Sequence, residues 1–345
     1  MTRMIISNAS MSATTRASIA RLQSELTRAQ DELSSGRRSQ LGLVLGARSI
    51  SATVLRARID ESQAFLDTNK VVSARFDAAQ SALGSLSDLA QGMQTELVTA
   101  ISGASNPTVL AADAMAALSQ TMSQMNSNFD GVSLFGGLGI GNPLKEVSAN
   151  GAPAVAAAFQ AKFGIAPGDA ASAGIASSDM QDFLDADFAA LFDNDANWSS
   201  LWSNATNDVP QTRISQAVTV PNSVSANIPA VRNLVKSLTM VAALGIESLS
   251  PDTRSALIAQ ASSQIGGAQT MLTDTIAQVG VIQNRLQDAN NELSLQHAQL
   301  GSRLDDIEVA DPAELSTRIS TLSMQLQASY QVTSKLSQLS LINFI

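Results

Sequence analysis

The sequence predicts a mainly α protein: a long antiparallel helical rod, made of a terminal coiled coil and a helical bundle, carrying an inserted outer domain of mixed or β-containing structure. Three observations predict it. Narrow apolar seams recur near both ends of the chain, over residues 19–33 and 315–326. Two long amphipathic stretches of matching length, residues 51–102 and 250–307, lie inside them. Between those stretches, residues 138–209 lose helical periodicity and bring in Pro143, Pro153 and Pro167.

Each element follows in order. Residues 1–18 are polar and expected to be disordered in the isolated chain. Ile19, Leu22, Leu26, Ala29 and Leu33 then repeat at three-four spacing, marking a helix that stops at Ser34-Ser35-Gly36. Residues 36–46 are a glycine-broken loop with an apolar anchor at Leu41, Leu43, Val44 and Leu45. A helix over residues 51–102 is carried by Leu55, Ile59, Leu66, Phe76, Leu83, Leu86, Met93 and Leu97, and would reach roughly 75 Å. Asn106-Pro107 caps the next helix, which runs to about Asn126. Asp130-Gly131 reads as a tight turn followed by a short strand closed by Gly136-Gly137.

After the insert, the alternation of residues 214–220 predicts one strand ending at Pro221, and residues 223–227 a loop. A helix follows from Pro229 to Gly245, and the second long helix starts at Ser250-Pro251-Asp252. The last helix starts at Asp311-Pro312-Ala313-Glu314, where an acceptor side chain, a proline and a carboxylate suit a helix N-terminus. Leu315, Ile319, Leu322 and Leu326 give it a heptad seam, which thins at Ser329 and Thr333 before the apolar stretch 339–345. A stripe this narrow needs a partner helix.

Composition bounds the function. Charged residues are 15% of the chain, against about 25% in ordinary domains, and aromatics are 4%. Such a chain is expected to build thin helical seams and no thick aromatic core. A net charge of −9 argues against nucleic acid or an anionic membrane surface as partner. With no cysteine there is neither a disulfide framework nor a thiolate metal site. Residues 1–12 contain no continuous apolar h-region, so no secretory signal peptide is expected, and no stretch is long and apolar enough to span a membrane.

Candidate chemistry is sparse. His297, the single histidine, reads as a solvated helix position. Asp193-Asn194-Asp195 starts like a calcium loop, but Trp198 stands where that loop needs glycine and Asn204 where it needs glutamate. Asp182, Asp185 and Asp187 form the solvated face of a short helix. Asn8, Asn197 and Asn204 match the N-glycosylation pattern, most simply by chance. No cofactor, no metal site and no enzymatic activity are expected.

Residues 26–37, LTRAQDELSSGR, resemble the N-terminal signature of flagellin-type proteins, and residues 280–286, GVIQNRL, its C-terminal counterpart. Residues 130–137 (DGVSLFGG), 223–230 (SVSANIPA) and the pair 326–331 (LQASYQ) with 339–345 (LSLINFI) look more like the hook–filament junction branch, known as hook-associated protein 3, than like filament flagellin. The resemblance covers roughly residues 5–137 and 214–345. The Asp-Asp or Asp-Pro run that often follows the N-terminal signature is absent from residues 41–49.

The resemblance implies a structural component of the bacterial flagellum, extracellular and exported by the flagellar type III apparatus with a chaperone. Its implied partners are further copies of itself in a ring or helical zone, the adjacent hook-associated junction protein, and flagellin. Filament flagellin and a helical signalling rod are the alternatives. The expected organisation is a terminal coiled-coil region (1–50 and 304–345), a helical rod domain with short β-hairpin elements (51–137 and 210–303) and an inserted outer domain (138–209). The expected assembly seam is Ile19, Leu22, Leu26 and Leu33 with Leu315, Ile319, Leu322, Leu326 and Leu336.

Overall fold

The structure, a computed structural model, describes residues 8–39, 47–103 and 105–342, with side chains described at 10, 11, 13–39, 49–103 and 105–335. The apolar anchor at 41–45 lies outside the described residues. The chain divides into two compact units, residues 1–63 with 294–345, and residues 64–293. Mainly α architecture holds in both. The first helix, α1, covers Asn8–Ser35. It begins well ahead of Ile19, inside the stretch expected to be disordered: once the seam residues nucleate the helix, adding polar turns costs little, and Thr14 and Thr15 hydroxyls bond back to the Ser10 and Met11 carbonyls.

Two helices dominate: α2, Ala47–Ile101 with 55 residues, and α9, Pro251–Glu308 with 58. Between them, in chain order, come α3 (Pro107–Met125), α4 (Ala152–Phe163), α5 (Ser177–Phe183), α6 (Ala189–Asp193), α7 (Asp195–Leu201) and α8 (Pro229–Ala243); α10 (Pro312–Ile342) closes the series.

In the second unit, α2 buries Val72, Phe76, Ala79, Leu83, Leu86, Ala90, Met93 and Leu97, an unbroken alternation of fours and threes. That is a heptad seam. On α9, Leu257, Ala261, Ile265, Ala268, Leu272, Val279 and Leu286 face the same core. Three side-chain bridges set the pairing: Asn69 Nδ2 to Asn290 Oδ1 at 2.8 Å, Gln283 Nε2 to Asp77 Oδ1 at 2.7 Å, and Gln94 Nε2 to Ser262 Oγ at 2.9 Å. As the α2 number rises the α9 number falls, so the two run antiparallel. Asn69 is fully buried and also donates to the Ile214 carbonyl. A paired asparagine inside an apolar seam fixes its register at some cost in stability.

Helix α3 packs on α8, which is buried along most of its length through Val231, Leu234, Val235, Leu238 and Val241. The Asn106 side chain caps α3 at the Thr108 N–H, as its position before Pro107 predicts. Strands β1 (Asn128–Phe129) and β2 (Val132–Ser133) form a hairpin whose Asp130 (φ 55°) and Gly131 (φ 78°) make the primed turn that this dipeptide favours. Arg75 on α2 donates to the Ser133 carbonyl and holds the hairpin to the core.

The single strand expected over 214–220 is instead a second antiparallel hairpin, β3 (Gln211–Arg213) with β4 (Thr219–Pro221). Its turn is closed by the Ile214 N–H bonding the Val218 carbonyl. Ile214 and Val220 are both buried, but residues 214–218 form the turn and their burial does not alternate, so only the end of the expected strand is one.

Residues 138–209 pack inside the second unit as short helices, with one isolated bridge between Leu144 and Ser203. Most of the chain's aromatics meet here. Phe159, Phe163, Phe183, Phe188, Phe192, Trp202 and Trp198 form a chain of ring contacts 4.5–6.4 Å between centroids. The expectation of a chain without an aromatic core is therefore wrong for this region: few aromatics suffice when they fall within residues 159–202.

Glu96 on α2 holds its proton more readily than an ordinary glutamate, through partial burial first and the charge of Asp113 on α3 second. Much of the side chain still meets solvent. Because the raised pKa belongs to the folded state, stability falls as pH rises from the ordinary glutamate value to the raised one. Glu96→Gln is therefore expected to raise the melting temperature slightly at neutral pH, with the gain vanishing below the ordinary carboxylate range; thermal melts across pH check this.

Candidate assembly interface

In the first unit, α1 packs along α10. The direction is antiparallel, since Gln23 Nε2 bonds the Tyr330 hydroxyl at 2.8 Å while Gly36, beyond the end of α1, accepts from the Ala310 N–H at 3.1 Å. Local sequence produces both ends. Helix α1 stops where Gly36 turns left-handed (φ 69°), and Glu32 Oε1 then accepts from the Ser39 N–H and hydroxyl. Helix α10 starts where Asp311 Oδ1 accepts from the Ala313 N–H at 2.8 Å.

Glu308 lies at the centre of the turn between α9 and α10. Its side chain is 3% exposed and pairs with Arg56 of α2 at 2.6 Å and Arg37 at 3.6 Å. Its carbonyl accepts from the Arg38 N–H at 2.9 Å, and Val309 bridges Arg37. Nothing in the apolar spacing marks this residue; the only trace is an acid in the chain reversal and a pair of arginines after Gly36.

The expected seam residues separate into three groups. Leu315 and Leu322 are buried, at 5% and 6% exposure. Ile19, Leu22, Leu26, Ile319 and Leu326 are half-buried, and Leu33 is exposed. Leu336 lies outside the residues whose side chains are described. The deepest position on α1 is Ala29 at 2%, part of the periodic series but absent from the expected site; a small residue lets the helix backbones approach closely. Away from this contact, Met11, Met324, Tyr330 and Val332 are also exposed. One chain thus covers only part of the apolar surface on its own terminal helices.

The calcium-like stretch is otherwise engaged. Asp193 pairs with Lys236 at 2.7 Å, Asp195 with Arg232 at 2.6 Å, and the Asn194 side chain caps α7. Among the described residues, no group of three or more histidines, cysteines or acids is placed to hold a metal, and no helix is long and apolar enough to cross a membrane. His297 is half-buried on α9.

Residues 6–139 match the model of the bacterial flagellin N-terminal helical region, and residues 262–345 that of the C-terminal helical region. The chain belongs to the flagellin family. The two matches cover α1 to just past β2, and most of α9 with all of α10; β4 and α8, which the resemblance was expected to include, fall outside them. A flagellin-family chain is a structural protein of the bacterial flagellum that polymerises with its own kind. Among solved structures, a Vibrio parahaemolyticus chain assigned as a flagellar hook-associated protein shares the fold, with a TM-score of 0.52 at 11% identity, over 77% of this chain and 99% of that one. No curated protein sequence matches significantly.

Glu308→Ala is expected to cost about 1 kcal/mol or less, since the two arginines it leaves are half or more exposed and keep their water, measured as a slightly lower melting temperature of the terminal helices. Leu322→Ser should reduce helicity by circular dichroism more than Leu326→Ser, because only Leu322 is buried within a single chain.

Proposed function

We propose that this chain is the hook–filament junction protein, polymerising through α1 and α10 as a short zone between the adjacent hook-associated protein and the flagellin filament. The observation that carries the reading is the half-covered seam: Leu26, Ile319 and Leu326 are only half-buried and Leu33 is exposed in the single chain. Helices with such narrow stripes gain little from packing in pairs, and neighbouring copies would supply the missing contacts, offsetting the entropy of holding the helices in place. Folding of this region and assembly are then coupled.

The sequence stretches 130–137, 223–230 and 339–345 favour the junction protein over filament flagellin. The first sits on the β1–β2 hairpin and the second precedes α8. On this reading, residues 138–209 form a surface module, and the chain leaves the cell through the flagellar type III apparatus with the help of a chaperone. Filament flagellin is the second reading, favoured by the extent of the flagellin matches.

Immunogold labelling of intact flagella separates the two. A band at the hook–filament boundary is expected, and label along the whole filament would establish the second reading. Leu322→Ser with Leu326→Ser should leave cells with hooks but few attached filaments.

A further inference from the structure

Methionines without any cysteine make the thioether the only oxidisable sulfur in the chain. The described methionines fall into two classes. Met93, Met122, Met125, Met180 and Met240 are buried in the second unit, none more than 8% exposed. Met11, Met115, Met271 and Met324 are exposed. Of these, Met324 stands furthest out, at 63% against 44% for Met115, and the Met271 sulfur accepts from Asn233 Nδ2 at 3.5 Å. Close packing keeps an oxidant from the first class and leaves Met324 open to it.

Position sets Met324 apart as well. It lies midway between the buried Leu322 and the half-buried Leu326, at the heptad position furthest from the α10 seam. That position ordinarily carries a polar residue, since an apolar side chain there gains no packing within one chain. Tyr330 and Val332 are exposed on the same helix. Helix α10 thus turns an oxidisable apolar side chain outward, on the element that the junction role uses for contacts between copies.

A hypohalous acid is the oxidant class that suits a thioether. The sulfur gives its lone pair to the chlorine of hypochlorous acid and hydroxide leaves; water then adds to sulfur, chloride departs and the added water loses its protons. Sulfur has lost two electrons and chlorine has gained them, so thioether and hypochlorous acid become sulfoxide, chloride and a proton. No backbone bond breaks. The flexible apolar side chain becomes polar and gains a hydrogen-bond acceptor, a change that methionine sulfoxide reductases reverse.

We propose that Met324 is an oxidation site at which a hypohalous acid turns off polymerisation through α10. It rests on the reading that α10 carries contacts between copies. A sulfoxide there brings an acceptor into contacts that leave it unpaired, which weakens association about tenfold. The methionines of the second unit stay reduced, so the chain loses assembly while that unit keeps its fold.

The full-length chain is treated with graded hypochlorous acid, quenched with free methionine, mapped by peptide mass spectrometry, then concentrated and sedimented. Met324 should gain one oxygen well before Met93, Met122, Met125, Met180 or Met240. The sedimenting fraction should fall about tenfold and recover after methionine sulfoxide reductase treatment. Met324→Leu, which keeps size and apolarity without the sulfur, should sediment equally with and without oxidant, and Met324→Gln should sediment poorly without any. Oxidation of the buried methionines ahead of Met324, or an equal loss in Met324→Leu, overturns the proposal. A chain oxidised at Met324 that sediments undiminished overturns it and leaves polymerisation through α10 standing; no particles from the untreated chain overturn both.

Discussion

A carboxylate buried to 3% exposure has to be paired, and the Glu308 side chain imposes that condition on everything around it in the first unit. Its partners come from the residues after α1 and from α2, while its own backbone forms the reversal that turns α9 into α10. These contacts tie the end of the first helix, the start of the last and α2 together at one turn. Ala29, Leu315 and Leu322 are buried along the helix pair that leaves this turn. The apolar stripe and the charge pairs act on the same pair of helices.

The two units solve stability differently. In the second, a sustained heptad seam, a buried helix α8 and a contiguous aromatic chain supply ample apolar burial, enough to tolerate the polar residues Asn69, Ser237 and Thr239 inside it. In the first, small and half-exposed residues do most of the packing. The chain keeps its strong core in the second unit and its weak one in the first.

Much of this was legible in the sequence for a physical reason. Long helices announce themselves by repeating one spacing many times, and the ends of α1, α3 and α10 carry residue types with definite roles: Gly36, Asn106 and Asp311. The β3–β4 hairpin was not legible as two strands, because each is only three residues long and the turn between them, residues 214–218, carries the apolar residues that suggest a strand. The aromatic chain from Phe159 to Trp202 is distributed over several short helices whose packing no local period encodes. Glu308 and Ala29 were missed for opposite reasons. A charged residue is not expected in a core, and alanine carries too little apolar weight to stand out as the closest point between two helices.

The Asn69–Asn290 pair has a mechanical meaning. Were α2 to slide past α9 by one heptad, the apolar residues would find equivalent places about 10 Å further on, and only the polar bridges would object. The Asn69–Asn290 bond would then be broken, with Asn69 carried opposite Gln283 or His297. The bond turns two helices that could telescope into a gauge block of fixed length. In a protein that polymerises with its own kind, a fixed helix register gives every copy the same length to pack with.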